Sequence, residues 1–311
     1  MHVLTEAEFR YPHLYHYTSQ NGLLGIVDKK QIWATNILYL NDTSEFSHAL
    51  DLMEYGLEVI YESSPSRQEI LFLEEMKKRL PEPDGTTMGI YVCSFSTMSD
   101  RLSQWRGYCP GGNGFSLRFD FNSILYDRIK EQGFNLVECI YANTLEFPEI
   151  LQKFLSDALE IFNSTPSQGR VANRIEKALQ SFKFKEKFLQ LATQLKHSAF
   201  FEEEEWRLVS EPISLESSRI RFRNGKSMLI PYVEIKIEDK DGYINIPEVW
   251  IGPTPHPTLS EQSVENFLVT KGVYGFNRQM PPTPFDEKGK ENDEQKVAPL
   301  VRVSEAPYHT W

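Results

Sequence analysis

The chain has 311 residues, of which 40% are hydrophobic and 13% aromatic, and this is enough to bury one sizeable core or two smaller ones. Its 33 Lys and Arg residues against 44 Asp and Glu residues give a net charge of -11, which argues against broad, sequence-independent DNA binding. Three widely spaced cysteines, with no CxxC pair, indicate neither a disulfide framework nor a zinc module. No signal peptide and no transmembrane segment is recognisable, so we expect a single-domain, soluble, cytoplasmic protein.

The first half of the chain predicts short strands and amphipathic helices. A strand at 14–18 leads into a helix that Thr18 or Ser19 caps, and residues 32–40 are again extended. Apolar residues spaced three and four apart predict a helix over 46–60, before which Asp42 and Glu45 have the form of a capping box. Further on, we expect a helix at 68–80, strands at 89–96, 114–119 and 136–141, and a turn at 110–114.

The second half predicts a long helical region followed by more strands. Residues 146–198 have a helical pattern that is broken near 164–166. Strands are expected at 206–210, 229–237, 249–251 and 300–308, a helix at 260–269, and an exposed, mobile, charged loop at 281–297. Because strands and helices do not alternate regularly, the pattern favours an α+β fold over a doubly wound parallel sheet.

Familiar catalytic motifs are absent from the sequence. The glycines at 111, 112 and 114 match neither a phosphate-binding loop nor a dinucleotide fingerprint, and they indicate a hairpin turn. There is also no GxSxG nucleophile elbow and no HExxH helix. Chemistry must therefore come from polar residues on or beside apolar strands.

Four polar segments stand out, and each has an ordinary structural explanation as well as a catalytic one. They are His16 with its neighbouring tyrosines, Ser94-Phe95-Ser96, Gln104-Trp105-Arg106, and the run of four glutamates at 202–205 followed by Trp206-Arg207. If residues 203–205 form a strand, Glu203 and Glu205 project to the same face. Two adjacent carboxylates repel each other, so this pair is more easily tolerated beside a cation or a cationic transition state.

Taken together, these segments resemble a bacterial family known as domain of unknown function 2971. The similarity lies in Tyr15-His16-Tyr17-Thr18-Ser19, Leu40-Asn41-Asp42 with Glu45, Cys93 to Ser96, Leu102 to Tyr108, Glu203 to Arg207, Ile251-Gly252-Pro253 and Ser304 to Tyr308. These segments span nearly the whole chain, from about residue 12 to residue 308. The family name carries no activity.

A more distant resemblance, to ADP-ribosyltransferases, supplies a function. Those enzymes carry Arg or His on a first strand, Ser-Thr-Ser or Tyr on a second and a catalytic Glu on a late strand. The resemblance implies a mixed or antiparallel sheet core with surrounding helices and a helical insertion at 146–198. It also implies that NAD is the substrate, that no metal is needed, and that His16 bonds a ribose hydroxyl.

By the same resemblance, Ser94 and Ser96 would line the nicotinamide-ribose pocket, and Tyr17 or Tyr91 would stack on nicotinamide. The Phe at position 95, where serine-type enzymes have Thr, is a departure from that pattern. The expected catalytic residues are Glu205, Glu203 and His16, and the expected NAD-binding residues are His16, Tyr17, Thr18, Ser94, Ser96, Tyr91 and Arg106. Such proteins are typically toxins or phage-defence effectors, so the acceptor would be a nucleic acid or a protein.

Two other readings stay open at this point. In a metal-dependent nuclease or phosphoesterase, Asp42, Glu45, Glu203 and Glu205 would converge on Mg²⁺. In a non-catalytic nucleotide sensor or interaction module, Trp105, Arg106 and the loop near Glu287 would contact a partner. Glu205-Trp206-Arg207 also fits an internal ion pair that anchors the core.

Overall fold

The computed structural model of the protein describes residues 13–40, 44–63, 65–80, 88–109, 114–166, 169–276 and 296–306. Three of the predictions lie outside these residues: the cap at Asp42, the turn at 110–113 and most of the charged segment at 281–297. Within the described ranges, no helix is long and apolar enough to cross a membrane.

The strands and helices of these ranges follow one another in a mixed order. The strands are β1 (His13–Ser19), β2 (Gln31–Asn36), β3 (Met88–Gly89), β4 (Tyr91–Ser96), β5 (Gly114–Asp120), β6 (Phe134–Glu138), β7 (Ile140–Ala142), β8 (Leu195–His197), β9 (Glu205–Ser210), β10 (Ile213–Ser214), β11 (Ile220–Asn224), β12 (Leu229–Lys236), β13 (Glu248–Ile251), β14 (Gly275–Phe276), β15 (Lys296–Val297) and β16 (Leu300–Val303). The α-helices are α1 (Gln20–Lys29), α2 (Ser44–Glu62), α3 (Arg67–Lys78), α4 (Leu102–Tyr108), α5 (Ser123–Glu131), α6 (Glu149–Ser164), α7 (Val171–Phe182), α8 (Phe184–Ala192) and α9 (Pro257–Thr270), and 3₁₀ helices cover Ile37–Tyr39 and Ser198–Glu203.

Ten of the described strands form one mixed sheet. Eight run in the order β11-β12-β2-β4-β1-β5-β13-β16, while β9 pairs with β4, and β6 pairs with β9. The pairing is antiparallel except between β13 and β16, which are parallel. The predicted α+β class with a mixed sheet is therefore confirmed.

The position of β4 in this sheet creates an opening. β9 pairs along one edge of β4 from Val92 to Ser96, so β1 and β2 must share the other edge. β2 pairs there with Tyr91 and Val92, and β1 pairs with Ser96. Between these points, β1 and β2 separate from each other, and the edge of β4 is left without a strand.

Two apolar cores cover the two faces of the sheet. One lies against α1, α5 and α9 and includes Ile26, Ile129 and Leu268. The other lies against α2, α3 and the helices α6 to α8, and it includes Leu52 and Phe188. The region predicted as a helical insertion therefore supplies many residues of the second core, in which α6 and α8 pack on α2, and α6 and α7 pack on α3.

Most predicted elements agree with the structure, and the differences are local. Ser19 caps α1, because its Oγ accepts a hydrogen bond from the Gly22 backbone N–H at 3.2 Å. The predicted strand at 32–40 ends at Asn36, whose side chain caps a 3₁₀ turn. Short elements went unpredicted, among them α4, α5, β8 and β11. The end of the predicted loop at 281–297 is also different, since Lys296–Val297 pairs with β14.

Candidate functional site

A cavity of about 360 Å³ lies at the opening between β1 and β2. Its walls come from β1, α1, β2, β4 and α4, together with the segment that leads into β9 and one side chain of β11. This volume falls within the range of about 300 to 1,000 Å³ that is usual for small-molecule sites. Three strands that carry the predicted motifs are neighbours here, in the order β1, β4, β9.

His16 lies in the wall of the cavity, and its side chain contacts the edge of β4 where no strand pairs with it. Its Nδ1 is 2.9 Å from the carbonyl oxygen of Ser94, on the part of β4 that neither β1 nor β2 pairs. Because a carbonyl oxygen only accepts hydrogen bonds, Nδ1 carries the hydrogen. Burial lowers the pKa of the imidazole, so the ring is neutral and Nε2 keeps its lone pair. His16 can therefore accept a hydrogen bond from a hydroxyl of a bound ligand.

Cys93 also lines the cavity, but its thiol is not activated. Its Sγ is 3.8 Å from Nδ1 of His16, and that nitrogen already carries a hydrogen and cannot take a proton from the thiol. Burial raises the pKa of the Cys93 thiol far above its ordinary value. A Cys-His nucleophilic pair is therefore excluded.

Glu205 is the first residue of β9, and it is only 2% exposed. Its Oε1 accepts a hydrogen bond from Nε of Arg207 at 2.7 Å, and its Oε2 accepts one from Nζ of Lys196 at 2.5 Å and one from Nη2 of Arg207 at 3.0 Å. Arg207 also donates to Glu45 at 2.8 Å and to the carbonyl of Thr193 at 2.9 Å. Glu205-Trp206-Arg207 thus contains the internal ion pair that was one of the sequence-based alternatives.

Lys196, on β8, stands between three carboxylates. Its Nζ lies 2.5 Å from Glu205, 2.7 Å from Glu203 and 3.2 Å from Glu45. We call Glu45, Lys196, Glu203, Glu205 and Arg207 the ion cluster. With three carboxylates and two cations, the ion cluster carries a formal charge of -1 when all five groups are ionised.

The predicted arrangement of Glu203 and Glu205 on one strand is wrong. Glu203 ends the 3₁₀ helix Ser198–Glu203, and Glu204 adopts a left-handed conformation with φ of 42° before β9 begins. The two carboxylates are brought together by Lys196 and not by strand periodicity, and this cation relieves the repulsion between them.

Glu203 and Glu205 have opposite pKa shifts. Burial alone would raise the pKa of Glu205, but the charges of Arg207 and Lys196 outweigh it and lower this pKa to about 2. Burial raises the pKa of Glu203, and the single contact with Lys196 only partly offsets this effect. Lys196 stays protonated, because Glu205 and Glu45 raise its pKa despite burial. Its amine is therefore not available as a nucleophile.

The helix α4 closes the cavity next to the ion cluster. Gln104 and Tyr108 line the wall, and burial, followed by the charges of Glu205 and Glu203, raises the pKa of the Tyr108 hydroxyl. Trp105 is only 2% exposed and donates from Nε1 to Asp100 at 2.7 Å. The non-catalytic reading placed Trp105 against a partner, and this is wrong because its ring belongs to the interior.

The cavity includes some of the predicted NAD-binding residues and not others. His16, Tyr17, Thr18 and Ser94 line it, as do the predicted catalytic residues Glu203 and Glu205. Three predicted residues are absent from its walls: Tyr91, Ser96 and Arg106.

The structure gives these three residues other positions. Tyr91 is fully buried in the core on the α1 side of the sheet, and Arg106 is exposed on α4. Ser96 is buried, where its Oγ donates to the Glu203 carbonyl at 2.7 Å and accepts from the Met98 N–H at 3.1 Å. Ser96 therefore fixes the backbone at Glu203 and does not face a ligand.

Tyr17 faces the cavity, but its hydroxyl is engaged on its far side. It donates to the Met98 carbonyl at 2.8 Å and accepts from the Arg101 N–H at 3.0 Å, while the ring packs edge-on against Trp105. These contacts hold the ring in place, so Tyr17 cannot swing into the cavity to stack on a ligand without losing both hydrogen bonds.

The metal-dependent reading placed Mg²⁺ where four acidic residues converge. Three of them, Glu45, Glu203 and Glu205, do converge, and the ammonium of Lys196 occupies that point. Asp42 lies outside the described residues. Among the residues described, no group of three or more His, Cys, Asp or Glu side chains is arranged to hold a metal ion.

Two cations at this site were not predicted. Lys196 fell within a region predicted as helical, and Arg223 belongs to β11, which was not predicted at all. The side chain of Lys196 is buried, and that of Arg223 is half-buried. For Lys196 the only signal is the cluster of glutamates, which needs a cation nearby, although the position of that cation does not follow from spacing. No feature of the sequence indicated Arg223.

Part of the chain matches a known family model. Residues 104–208 match the model of a family described as protein of unknown function (DUF2971), which agrees with the resemblance seen in the sequence. This segment contains Lys196, Glu203, Glu205 and Arg207, whereas His16 and Arg223 lie outside it. No curated protein and no solved structure matches the chain.

Proposed function

We propose that the protein is an ADP-ribosyltransferase-like enzyme that uses NAD to modify a macromolecular acceptor, a nucleic acid or a protein. The observation that supports this proposal best is that His16, Glu203 and Glu205 line one cavity. They come from β1 and from the segment that enters β9, on either side of β4. The resemblance to ADP-ribosyltransferases requires His16 and the glutamates to share one cleft, and the cavity volume lies in the usual range for small-molecule sites.

The proposed reaction breaks the bond between C1′ of the nicotinamide ribose and the ring nitrogen of nicotinamide. The bonding electrons leave with nicotinamide, so positive charge develops on the ribose as an oxocarbenium ion. The acceptor nucleophile then bonds to C1′ and gives up a proton. A negative charge fixed beside the ribose stabilises this transition state more than the ground state.

The opposite pKa shifts of the two glutamates suggest separate roles for them. Glu205 stays ionised at any physiological pH, and it accepts three hydrogen bonds, which leaves one acceptor position on Oε1. We assign it the ribose 2′-hydroxyl and the stabilisation of the oxocarbenium ion. Glu203, with its raised pKa and a single contact to Lys196, is the better base for the acceptor proton.

His16 and Arg207 complete the proposed site in different ways. The Nε2 lone pair of His16 accepts a hydrogen bond from another ribose hydroxyl, so the sugar is held from the β1 side. Arg207 is a positioning residue, because it is buried behind Glu205 and holds that carboxylate through two hydrogen bonds. A preorganised carboxylate needs little rearrangement when charge develops on the ribose.

The test is release of nicotinamide from NAD by the purified protein, with and without cell lysate as a source of acceptor and with and without EDTA. We expect release that resists EDTA and falls by about 100-fold or more in Glu203→Gln. The wild-type rate should decline as the pH falls through the raised pKa of Glu203, because the base must be deprotonated, and Glu203→Gln should lack this decline.

Glu202→Gln is the matched control, since Glu202 is the adjacent carboxylate but is exposed to solvent. Its rate should equal that of the wild type. Absence of nicotinamide release under every condition, or equal rates for Glu203→Gln and Glu202→Gln, would contradict the proposal. Release that disappears with EDTA would favour the metal-dependent reading instead.

A further inference from the structure

Arg223 reaches the cavity from the edge of the sheet. It lies on β11, opposite Ile230 of β12, and its side chain crosses β12 towards β2. There Nη2 lies 3.3 Å from Oγ1 of Thr35, as a donor to that hydroxyl, and the side chain forms part of the cavity wall. The guanidinium is therefore fixed at the end of the cavity formed by β2.

The charge of Arg223 has no counterpart in the described part of the chain. No carboxylate there lies within 4.0 Å of its guanidinium, and its buried Nε has no hydrogen-bond acceptor. Burial lowers the pKa of Arg223, in contrast to Arg207, whose carboxylate partners raise its pKa. A half-buried cation without an anion is costly, and such a group is common where a ligand supplies the anion.

The register of the strands separates Arg223 from the ion cluster. Thr35 pairs with Val92, and Glu205 pairs with Ser96. The side chains of Thr35 and Glu205 therefore lie on the same face of the sheet, but beside different positions along β4. With β4 between β2 and β9, the Cα atoms of Thr35 and Glu205 are about 16 Å apart by ordinary strand spacing. The cavity therefore has a negative end at the ion cluster and a positive end at Arg223.

We propose that Arg223 binds the pyrophosphate of the nucleotide in this cavity and thereby sets the direction in which the ligand lies. This inference rests on the proposed function, because the nicotinamide ribose is assigned to Glu203 and Glu205. A guanidinium presents paired N–H donors that match phosphate oxygens. The carboxylate end repels a phosphate, so the opposite orientation of the ligand is disfavoured.

The test is calorimetric titration of the protein with ADP-ribose, which has the pyrophosphate but no bond to nicotinamide, and with nicotinamide riboside, which has no phosphate. Arg223→Gln should weaken ADP-ribose binding by at least about tenfold, and Arg223→Lys should weaken it less, because the charge is kept and the paired donors are lost. Binding of nicotinamide riboside should not change. Arg221→Gln, an exposed arginine two residues away on β11, is the control and should leave both affinities unchanged.

Equal affinity of wild type and Arg223→Gln for ADP-ribose would overturn the inference. An equal loss for nicotinamide riboside would also overturn it, because that result indicates a damaged cavity rather than a lost phosphate contact. A short single-stranded oligonucleotide gives a third arm: if Arg223→Gln weakens its binding and leaves that of ADP-ribose intact, Arg223 contacts an acceptor backbone and the inference is wrong.

The same data separate this inference from the proposed function. Binding of ADP-ribose involves no cleavage. Arg223-dependent binding without any nicotinamide release from NAD would support the phosphate site and contradict the transferase. Nicotinamide release that depends on Glu203, with ADP-ribose affinity independent of Arg223, would support the transferase and contradict the phosphate site.

Discussion

Arg207 and Arg223 are guanidinium groups on the same sheet, and they differ in what surrounds them. Arg207 is 1% exposed and donates to Glu45, Glu205 and the carbonyl of Thr193. Arg223 is half-buried and, within the described residues, bonds only the hydroxyl of Thr35. The charge of Arg207 is neutralised by carboxylates of the protein, whereas the charge of Arg223 is left for an anionic ligand to neutralise.

This difference indicates which parts of the site serve the fold and which serve a ligand. A buried carboxylate or guanidinium is tolerated when oppositely charged partners offset the free energy lost with its hydration, as they do in the ion cluster. An uncompensated cation lowers stability and is retained where it has another use. Arg223 is therefore a better marker of ligand binding than Arg207, although Arg207 has more contacts.

The largest expected effect is on stability. Arg207→Met leaves Glu45 and Glu205 buried with less positive charge, and we expect it to lower the free energy of unfolding by about 3 to 5 kcal/mol. Arg223→Met removes a cation that has no anion, so the change should stay within about 1 kcal/mol. Urea unfolding of the two variants measures both values. Equal losses for the two variants would remove the distinction between these residues.

Acid should weaken the ion cluster in a defined pH window. The pKa of Glu205 is about 2 in the folded protein against an ordinary value of 4.5, so the unfolded chain takes up its proton first as the pH falls. The stabilisation is complete above about pH 4.5 and is lost towards pH 2, and its size is about 3 kcal/mol. Urea unfolding between pH 6 and pH 3 measures this slope.

Glu205→Gln should have a flatter dependence of stability on pH than the wild type, even though the variant is less stable at neutral pH. Glu202→Gln, which changes an exposed carboxylate, should keep the wild-type dependence. A wild-type slope that is unchanged in Glu205→Gln would show that this carboxylate is not the group that the ion cluster stabilises.

The smallest effect concerns Gly25, at the wall that α1 contributes to the cavity. A Cβ placed on Gly25 of α1 meets no atom within 4 Å, and this residue lines the cavity. Gly25→Ala should therefore raise the free energy of unfolding by about 0.5 to 1 kcal/mol, as is usual for glycine within a helix. Gly25→Met should fold equally well but fill the cavity and weaken ADP-ribose binding. Unchanged binding in Gly25→Met would place the ligand elsewhere.

The sequence was sufficient to predict the strands and helices whose apolar pattern is regular. The strand that carries His16, the helix that Ser19 caps, and β4 with Ser94 and Ser96 were all located correctly. In each case the signal is local: alternation along a strand, a capping side chain, or apolar residues on one helix face. The proximity of Glu203 to Glu205 was also foreseen, but for the wrong reason.

The two cations that complete the site, Lys196 and Arg223, lie on short strands that could not be predicted. β8 has three residues and directly follows a helical region, so Lys196 was assigned to a helix. β11 is an edge strand in which Arg221 and Arg223 alternate with an exposed Phe222, and it lacks the apolar face that marks a strand. The pairing of Arg207 with Glu45 joins residues 162 positions apart, and no spacing rule reports such a contact.

A crystal structure with a non-cleavable NAD analogue tests the account most directly. We expect the analogue in the cavity between β1 and β2, with hydroxyls of the nicotinamide ribose within about 3 Å of His16 Nε2 and of Glu203 or Glu205, and with the pyrophosphate against Arg223. An analogue bound outside this cavity, or one with its phosphates beside the ion cluster, would contradict both the assigned roles and the direction of the ligand.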